Sequence, residues 1–390
     1  MSQIDELIFK LCPVGVEFKE LGELLDYEQP GKYLVESIAY DDSHATPVLT
    51  AGQTFILGYT DETNGIYAAS SNEPVIIFDD FTTAFKWVDF PFKAKSSAMK
   101  MLTPKPDALE SLRYAYYAMQ TIRYTPQDHA RQWIGTYSKF RIPIPPLKVQ
   151  REIVKVLDTF AKLEAELEAE LEARRRQYQY YRDALLAFSN QDVRWAIMSE
   201  VGKFIRGRRF TKDDYVTDGI GCIHYGDIYT LYGTATTTAV SHVRPDMESV
   251  LRFAKPGDLV IAGVGETVED VGKAVAWLGD GEVAIHDDCF AFSHTLNPKF
   301  VSYYFQTAAF HAEKNKFVAR AKVKRLSAES LGKLTIPVPS PDEQQRIVAI
   351  LDTFDALVND LSNGLPAEIK ARRRQYEHYR DRLLNFREAA

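Results

Sequence analysis

Residues 142–160 read IPIPPLKVQREIVKVLDTF, and this stretch returns at residues 336–354 as IPVPSPDEQQRIVAILDTF. A second stretch, ARRRQYQYYRDALLAF at residues 173–188, returns at residues 371–386 as ARRRQYEHYRDRLLNF. The first pair is identical at 10 of 19 positions and the second at 12 of 16, which is far beyond chance. The chain is therefore a tandem duplication, and the rest of the sequence is organised around it.

The repeated stretches predict a long helix in each copy, because their apolar residues follow a near-heptad spacing. In the first copy this spacing holds from Ile153 to Phe188. The proline-rich run at residues 143–146 can neither continue a helix nor lie inside a sheet, so it predicts where the helix is entered. The residues expected to pack helix against helix are Leu157, Phe160, Leu167, Leu171, Tyr178, Leu351, Phe354, Leu361, Ile369 and Tyr376.

The two helices are not predicted to be identical. The second copy contains Asn363-Gly364-Leu365-Pro366, which should kink or break its helix. The first copy instead has the unit Leu-Glu-Ala-Glu at residues 163–166 and again at 167–170. A helix can absorb such a unit as a change of length of ~6 Å. The glutamates between residues 164 and 172 are expected to face solvent.

Two globular segments lie between the helices, and we call residues 16–141 module one and residues 193–335 module two. Both contain short β-type runs, at residues 74–78 and 259–262, and helix-like stretches at 109–119 and 300–313. Their starts resemble each other, but their interior sequences do not, which suggests two modules that do the same job on different targets.

We therefore predict an α+β fold with two α/β domains separated by two long antiparallel coiled-coil helices, the halves being related by a pseudo-two-fold duplication. The predicted division is 1–142 for the first domain, 143–190 for the first helix, 191–336 for the second domain and 337–390 for the second helix.

Composition narrows the class of protein. The 390 residues are 45% hydrophobic and 26% charged, which is typical of a globular chain. The sequence has no apolar run of 18 residues and no secretory signal, so we predict a cytoplasmic protein with no membrane partner. Its three cysteines are odd in number and far apart, which predicts reduced thiols. The net charge of −7 means that any DNA binding must come from local basic patches.

No catalytic motif is found. A Walker A loop would need a glycine where Thr267 stands and a Ser or Thr where Ala274 follows Gly272-Lys273. Gly263-Val264-Gly265 lacks the third glycine of a dinucleotide loop, so we interpret it as a turn. Asn297-Pro298-Lys299-Phe300 lacks the second proline of an adenine methyltransferase motif and is expected to start a helix. We predict a chain that is not catalytic by itself and carries no cofactor.

A metal site is not predicted either. His286-Asp287-Asp288-Cys289 resembles a ligand cluster, but adjacent residues alternate between faces in a strand. Asp79 and Asp80 lack the acid-x-Lys partner of a nuclease and are interpreted as loop acids.

Local charge points to nucleic acid. Residues 203–212 contain five basic residues and no acid, and residues 313–325 contain six basic residues against one acid. Arg, Lys, Gln and Ser are the side chains that reach phosphates and base edges. The candidate DNA contacts of module one are Lys32, Tyr33, Thr50, Gln53, Tyr59, Lys93, Lys95, Ser96, Ser97, Lys100, Arg131 and Gln132. Those of module two are Arg206, Arg208, Arg209, Lys212, Tyr225, Lys273, His286, Arg320, Lys322, Lys324 and Arg325.

Taken together, the motifs resemble the specificity subunits of type I restriction–modification systems. The resemblance lies in the Ile-Pro-x-Pro entries, the Gln-x-x-Ile-Val-x-x-Leu-Asp-x-Phe helix starts and Arg-Arg-Arg-Gln-Tyr. It extends to residues 11–18 (LCPVGVEF) and residues 364–369 (GLPAEI). Module one also resembles target-recognition domains at residues 47–52 (PVLTAG) and 78–83 (FDDFTT). The first helix departs from the family pattern because it lacks the Gly-Leu-Pro break.

The resemblance implies a DNA-binding specificity subunit whose two domains each recognise one half of a bipartite, asymmetric target in double-stranded DNA. The helices would set the gap between the halves and dock two modification subunits for adenine methylation. S-adenosylmethionine would belong to those partners, and ATP and Mg to restriction subunits. We further expect the Leu-Glu-Ala-Glu unit to set the length of the gap. Two alternatives remain open: a coiled-coil scaffold that binds protein without reading DNA, and a self-contained modifying enzyme.

Overall fold

A computed structural model of the chain describes residues 3–52, 54–188, 193–319 and 323–389. The candidate contacts Gln53, Arg320 and Lys322 lie outside these residues. The helices are α1 (Gln3–Leu11), α2 (Leu21–Leu24), α3 (Leu112–Met119), α4 (Gln132–Gly135), α5 (Leu147–Ala187), α6 (Met198–Val201), α7 (Tyr225–Thr230), α8 (Pro298–Tyr304), α9 (Ala308–Lys314), α10 (Ala328–Lys333), α11 (Pro341–Asn359) and α12 (Leu365–Leu383).

The strands are short, as the predicted β-type runs suggest. They are β1 (Glu17–Glu20), β2 (Leu25–Glu28), β3 (Thr46–Leu49), β4 (Ile56–Thr60), β5 (Val75–Asp79), β6 (Phe85–Val88), β7 (Lys93–Ala94), β8 (Met99–Pro104), β9 (Arg141–Ile144), β10 (Arg194–Ile197), β11 (Gly202–Arg206), β12 (Tyr215–Val216), β13 (Ile220–Ile223), β14 (Ala235–Thr236), β15 (Ser241–Val243), β16 (Phe253–Ala254), β17 (Leu259–Ala262), β18 (Val264–Gly265), β19 (Ala274–Trp277), β20 (Val283–Ile285), β21 (Cys289–His294), β22 (Lys324–Arg325) and β23 (Thr335–Val338). The predicted α+β class is confirmed.

The chain divides into two units that do not follow its linear order. One unit contains Met1–Glu166 together with Lys370–Ala390, and the other contains Leu167–Ile369. Helices α5 and α12 therefore each contribute residues to both units. The core of the first unit joins Ile76 and Tyr114 of module one to Ile153 of α5 and Leu383 of α12. The four-part division of the sequence stays a prediction.

The two modules share a sheet order although their interior sequences do not repeat. Module one has a sheet of order β2-β8-β5-β6, and module two has a sheet of order β11-β21-β17-β19-β14. A second sheet has the order β4-β3-β7 in module one and β12-β15-β13-β20-β16 in module two. Both second sheets contain one parallel pair, β3 with β7 and β13 with β20. The duplication therefore extends through the modules themselves.

The long helices differ as predicted. Helix α5 runs without interruption for 41 residues, whereas the second copy is broken between Asn359 and Leu365. A Cβ at Gly364 would lie 2.5 Å from the carbonyl oxygen of Ala356, so glycine is needed at this break. The prediction for Leu361 is wrong: its side chain is 78% exposed, because the packed helix ends before it. The glutamates at 166, 168, 170 and 172 are exposed.

Helix pairs pack antiparallel inside each unit. In the first unit the ring of Phe160 stacks on Tyr379 at 5.3 Å, and Glu164 pairs with Arg373 at 2.5 Å. In the second unit Tyr181 stacks on Phe354 at 5.4 Å. Leu157 lies in the core of the first unit, with Tyr376 packed against that core, while Leu171, Tyr178, Leu351 and Ile369 lie in the core of the second, with Leu167 and Phe354 packed against it.

The proline-rich entries are strands, which corrects the expectation that they lie outside any sheet. Pro143 of β9 is opposite Phe18, and Pro337 of β23 is opposite Trp195. Each sheet has only two strands, so each proline stands on an edge where no second neighbour needs its missing N–H. Val264 and Gly265 are likewise a short strand and not the predicted turn.

Several smaller predictions are confirmed. Asn297 caps α8, its side chain accepting hydrogen bonds from the N–H groups of Lys299 and Phe300. Cys12, Cys222 and Cys289 are free thiols. Among the described helices, none combines the length and the apolar character needed to cross a membrane.

Candidate nucleic-acid interface

Module two contains a basic cleft of about 610 Å³. Four cationic side chains predicted from the sequence line it together: Arg206, Arg209, Lys212 and Arg325. A neighbouring cleft of about 580 Å³ shares Arg206 and Arg325 with it. Residues that are more than 100 positions apart in the sequence are thus brought to one surface.

A turn at residues 286–288 organises these cations. Arg206 donates from Nε to the carbonyl oxygen of Asp287 at 2.7 Å, and its guanidinium lies 3.6 Å from the Asp287 carboxylate. Arg325 lies 3.6 Å from the carboxylate of Asp288. Arg208 is exposed and its backbone N–H donates to the carbonyl of Ile285. The four bases outnumber the two acids, so the cleft favours an anion.

Two imidazoles form the floor of the cleft. The rings of His224 and His286 are 4.6 Å apart, and His224 also contacts the ring of Tyr225 at 4.1 Å. Nδ1 of His224 accepts a hydrogen bond from the N–H of Gly226. Burial lowers the pKa of His224 because it disfavours the charged imidazolium, and the nearby imidazole of His286 lowers it further. His224 was missed from the sequence, since a single histidine after a two-faced strand carries no motif.

The turn brings possible metal ligands together, contrary to the expectation that adjacent residues face opposite sides. The ligand atoms of His286, Asp287 and Asp288 lie within 4.8 Å of one another. However, Nδ1 of His286 accepts from the N–H of Asp288, and Nε2 lies 3.2 Å from the carbonyl of Phe210. Both ring nitrogens are engaged and both carboxylates face arginines, so this arrangement favours an anion-binding surface over a cation site.

The remaining described candidates of module two lie apart. Lys273 pairs with Asp270 at 2.8 Å and lies over the ring of Tyr229, lining a different cleft. Lys324 is half-buried in β22, where it is paired with Gly265.

In module one, the predicted residues Thr50 and Lys95 directly follow the parallel strands β3 and β7. The N–H of Lys95 donates to the carbonyl of Leu49, which places Lys95 beside Thr50. Its ammonium donates to the hydroxyl of Tyr40 at 3.0 Å. Tyr59 lies on the neighbouring strand β4. Ser96 and the exposed Ser97 follow directly in the chain.

Asp80, which was interpreted as a loop acid, lies in a turn, where it is buried and connects three loops of module one. Its N–H donates to the carbonyl of Ala98, and its carbonyl accepts from the N–H of Gln132. Its carboxylate accepts from the N–H of Trp133 at 2.8 Å and lies 3.2 Å from the ammonium of Lys100. Arg131, exposed at the start of α4, is held in place by this connection.

Four candidates have internal partners. Lys93 donates to Asn64 and pairs with Glu62, Lys100 pairs with Asp80, and Gln132 bonds to Tyr124 and Asp128. His286 is only 8% exposed. Because their polar atoms are already engaged inside the modules, these four residues are poorly suited to contact DNA.

Lys32 and Tyr33 lie in acidic surroundings. Both hydrogen-bond to the carboxylate of Glu28, at 2.9 and 3.2 Å. Tyr33 also lines a pocket of about 870 Å³ that contains Glu28, Glu73 and Glu110. This pocket would repel a phosphate backbone, so these two residues are the least suited of the exposed candidates to contact DNA.

The modules are attached to their helices by a repeated polar contact. In the first unit, Tyr117 donates to Asp158 of α5 at 2.5 Å and Arg113 donates to the same carboxylate at 2.8 Å. In the second unit, Asp352 of α11 accepts from Tyr303 and from Lys299. Each module is thus fixed to the helix that follows it.

Comparisons with known proteins agree with this architecture. A family model described as the type I restriction modification DNA specificity domain matches residues 13–173 and 197–371. The type I restriction enzyme EcoR124I/EcoR124II specificity subunit of Escherichia coli is 41% identical over 399 aligned residues, covering 99% of this chain and 98% of that one. A putative type I specificity subunit of Haemophilus influenzae is 31% identical over 290 residues, covering 70% of this chain and 72% of its own.

Solved structures share the fold. The type I restriction–modification S subunit of M. genitalium matches with a TM-score of 0.54 at 15% identity, covering 95% of this chain and 96% of that chain. A chain from a structure of the assembly and conformational transition of the type I system matches with a TM-score of 0.56 at 18% identity, covering 96% and 98%. The duplicated motifs, the two similar modules and these matches lead to one conclusion: the chain belongs to the family of type I restriction–modification DNA specificity proteins.

Proposed function

We propose that this chain gives a type I complex its DNA sequence specificity, with module one recognising one half of a bipartite, asymmetric target and module two the other. The observation that carries the proposal is the cleft of module two, which Arg206, Arg209, Lys212 and Arg325 line together. Clustered arginines and lysines on one face of a domain form the electrostatic footprint of a DNA-binding protein.

The proposed interface is limited to side chains that solvent can reach. In module two it contains Arg206, Arg208, Arg209, Lys212 and Arg325, with Tyr225 beside them. In module one it contains Thr50, Tyr59, Lys95, Ser96, Ser97 and Arg131. Sequence would be read by the side chains that differ between the modules, because two different half-sites require different base contacts.

The chemistry of modification and restriction would belong to partner subunits. We expect two modification subunits that bring S-adenosylmethionine and methylate adenine, and restriction subunits that use ATP and Mg. This chain would contribute binding and positioning in the cytoplasm, and no cofactor of its own. The relatives named above, which are specificity subunits of type I enzymes, support this division of labour.

The long helices would set the gap between half-sites. Two modules can engage one duplex only if their separation matches the spacing of the groove faces they read. Helix α5 is uninterrupted through the duplicated Leu-Glu-Ala-Glu unit, so removal of one unit would shorten it by ~6 Å.

The test is salt-dependent binding of duplex DNA by the complex of this chain with its modification subunits. Replacing Arg208 and Arg209 together with alanine should weaken binding to every duplex and reduce the steepness with which affinity falls as salt rises. Arg194→Ala is the matched control, because Arg194 is exposed and lies outside the cleft.

Unchanged salt dependence in the double variant would remove these two arginines from the interface. A wild-type complex that retains random duplex with no sensitivity to salt would instead favour the alternative of a protein-binding scaffold.

A further inference from the structure

A loop in each module is held by the same set of hydrogen bonds, although the two loops have unrelated sequences. In module one, the N–H of Asp80 donates to the carbonyl of Ala98 at 3.0 Å, and the N–H of Gln132 donates to the carbonyl of Asp80 at 2.8 Å. In module two, the N–H of Gly263 donates to the carbonyl of Asp288 at 2.8 Å, and the N–H of Leu326 donates to the carbonyl of Gly263 at 2.9 Å. Gln132 and Leu326 are therefore equivalent positions.

The turn that contains the first carbonyl acceptor, at residues 96–98 in module one and 286–288 in module two, is also held by an equivalent hydrogen bond. In module one, Oγ of Ser96 accepts from the N–H of Ala98 at 3.1 Å. In module two, Nδ1 of His286 accepts from the N–H of Asp288 at 3.2 Å. Both turns lead directly into equivalent six-residue strands, β8 and β21. Two independent sets of contacts thus give the same alignment of the modules.

In this alignment Arg131 and Arg325 are equivalent positions. Arg131 directly precedes Gln132, and Arg325 directly precedes Leu326, the two residues whose N–H groups donate to Asp80 and Gly263. Both side chains are exposed, and a short helix follows each of them, α4 and α10. The positions around them have diverged: serine and histidine start the turns, and Lys100 of β8 corresponds to Phe290 of β21. Arginine is retained while its surroundings change.

We propose that Arg131 and Arg325 are equivalent phosphate contacts, one in each module, that bind the DNA backbone whatever the half-site. This inference rests on the proposed function and specifies the role of two residues within it. Modules that read different bases share no base contact, but they share the phosphate backbone, which has the same chemistry at every sequence. An arginine that both modules keep, although the residues around it differ, is therefore better suited to contact phosphate than to contact a base. The guanidinium of Arg325, held 3.6 Å from the Asp288 carboxylate, would exchange that partner for a phosphate.

The test uses the complex with its modification subunits and three duplexes: the full target, and the target with one or the other half-site scrambled. Binding is measured over a range of salt concentrations for wild type, Arg131→Ala, Arg325→Ala and the double variant. Each single variant should lose affinity by the same factor on all three duplexes and reduce the salt slope by about one, and the double variant by about two. Arg131→Lys and Arg325→Lys, which keep the charge, should retain the wild-type slope.

Arg123→Ala is the matched control, since the Arg123 side chain is 92% exposed and lies outside the repeated loop. The inference is overturned if the loss for Arg131→Ala or Arg325→Ala disappears when that module's half-site is scrambled, because the arginine would then read bases. It is also overturned if either alanine variant behaves like Arg123→Ala. Failure of the proposed function looks different: the wild-type complex would bind all three duplexes equally.

Discussion

Tyr303 donates a hydrogen bond of 2.6 Å to the carboxylate of Asp352, and this bond joins α8 of module two to α11. Burial and the bond itself raise the pKa of the Tyr303 hydroxyl, so it stays protonated and able to donate. The same bond in the first unit joins Tyr117 to Asp158. A module that must present DNA contacts at a fixed distance from its helix needs such an attachment.

Tyr303→Phe should lower the free energy of unfolding by about 1.5–3 kcal/mol, because it removes a hydrogen bond to a charged group. Chemical denaturation measures the change. Tyr180→Phe is the control, since Tyr180 is 70% exposed and should change stability by less than ~0.5 kcal/mol. Equal effects of the two substitutions would show that the attachment contributes nothing.

Near the start of each module a glycine lies close to a serine, and the two residues occupy opposite positions in the two modules. A Cβ at Gly22 would lie 3.2 Å from Cβ of Ser138, and a Cβ at Gly332 would lie 3.3 Å from Cβ of Ser199. Residues 21–24 (LGEL) of module one align with residues 198–201 (MSEV) of module two, so Gly22 corresponds to Ser199. The repeat of residues 142–160 at 336–354 likewise makes Ser138 correspond to Gly332. Each pair therefore keeps one glycine and one serine, in opposite order.

Gly22→Ser alone should destabilise the protein by about 1–3 kcal/mol, because it crowds this contact. Adding Ser138→Gly should recover part of the loss, since the pair then matches the arrangement of module two. A double-mutant cycle on unfolding free energies measures the coupling. Strictly additive effects would mean that the two positions do not share a steric constraint.

The buried ion pair of module one has an apolar counterpart in module two. Asp80 and Lys100 are each about 1% exposed in their side chains, and their equivalents are Gly263 and Phe290. A Cβ at Gly263 would lie 2.5 Å from the Phe290 ring, so the aromatic occupies the space of the carboxylate. The same position can thus be filled by a charge pair or by packing.

Lys100→Met should destabilise module one by about 3–5 kcal/mol, because it leaves the Asp80 carboxylate buried without its cation. Asp80→Asn added to Lys100→Met should recover part of this loss, since the charge is then gone. Urea unfolding of the single and double variants distinguishes them. If the double variant were less stable than Lys100→Met, the unpaired charge would not be the cause.

Stability should fall in mild acid. Burial lowers the pKa of His294 to about 4, and burial, followed by the charge of Lys314, lowers that of His311 to about 4. In the unfolded chain these imidazoles take up protons near their ordinary value of 6.5. Between pH 6.5 and 4 the unfolded state therefore binds more protons, and the free energy of unfolding falls as pH falls.

Melting temperatures between pH 7 and 5 measure this effect. His294→Asn, which is neutral throughout, should show a smaller drop than wild type. His129→Asn, at an exposed position, should show the wild-type drop. An identical pH profile in wild type and His294→Asn would assign the acid sensitivity to other groups.

The sequence predicted what depends on local pattern and repetition. The repeated stretches placed both helices, and Gly364 with Pro366 placed the break between α11 and α12. It could not predict Leu361, because a heptad pattern does not tell where packing ends.

The candidate DNA contacts were harder to predict from the sequence, because the exposure of each side chain depends on tertiary contacts that the sequence pattern does not reveal. Lys100 and Arg131 are both basic residues in loop-like sequence, yet one is buried against Asp80 and the other is exposed. The equivalence of Arg131 and Arg325 rests on backbone hydrogen bonds, and the amino-acid sequences of the two loops are too different to reveal it.

The spacing of the half-sites tests the central claim most directly. The test variant lacks residues 163–166, and Glu166→Gln serves as a control in which the helix keeps its length. Each variant is produced in cells that also carry the modification subunits. Methylation-aware sequencing of their genomes then gives the target sequence. The deletion should leave both half-sites unchanged and shorten the gap by one or two base pairs, since ~6 Å compares with a rise of ~3.4 Å per base pair. An unchanged gap, or a change in the bases of either half-site, would contradict the account of two separate reading modules set apart by a helix.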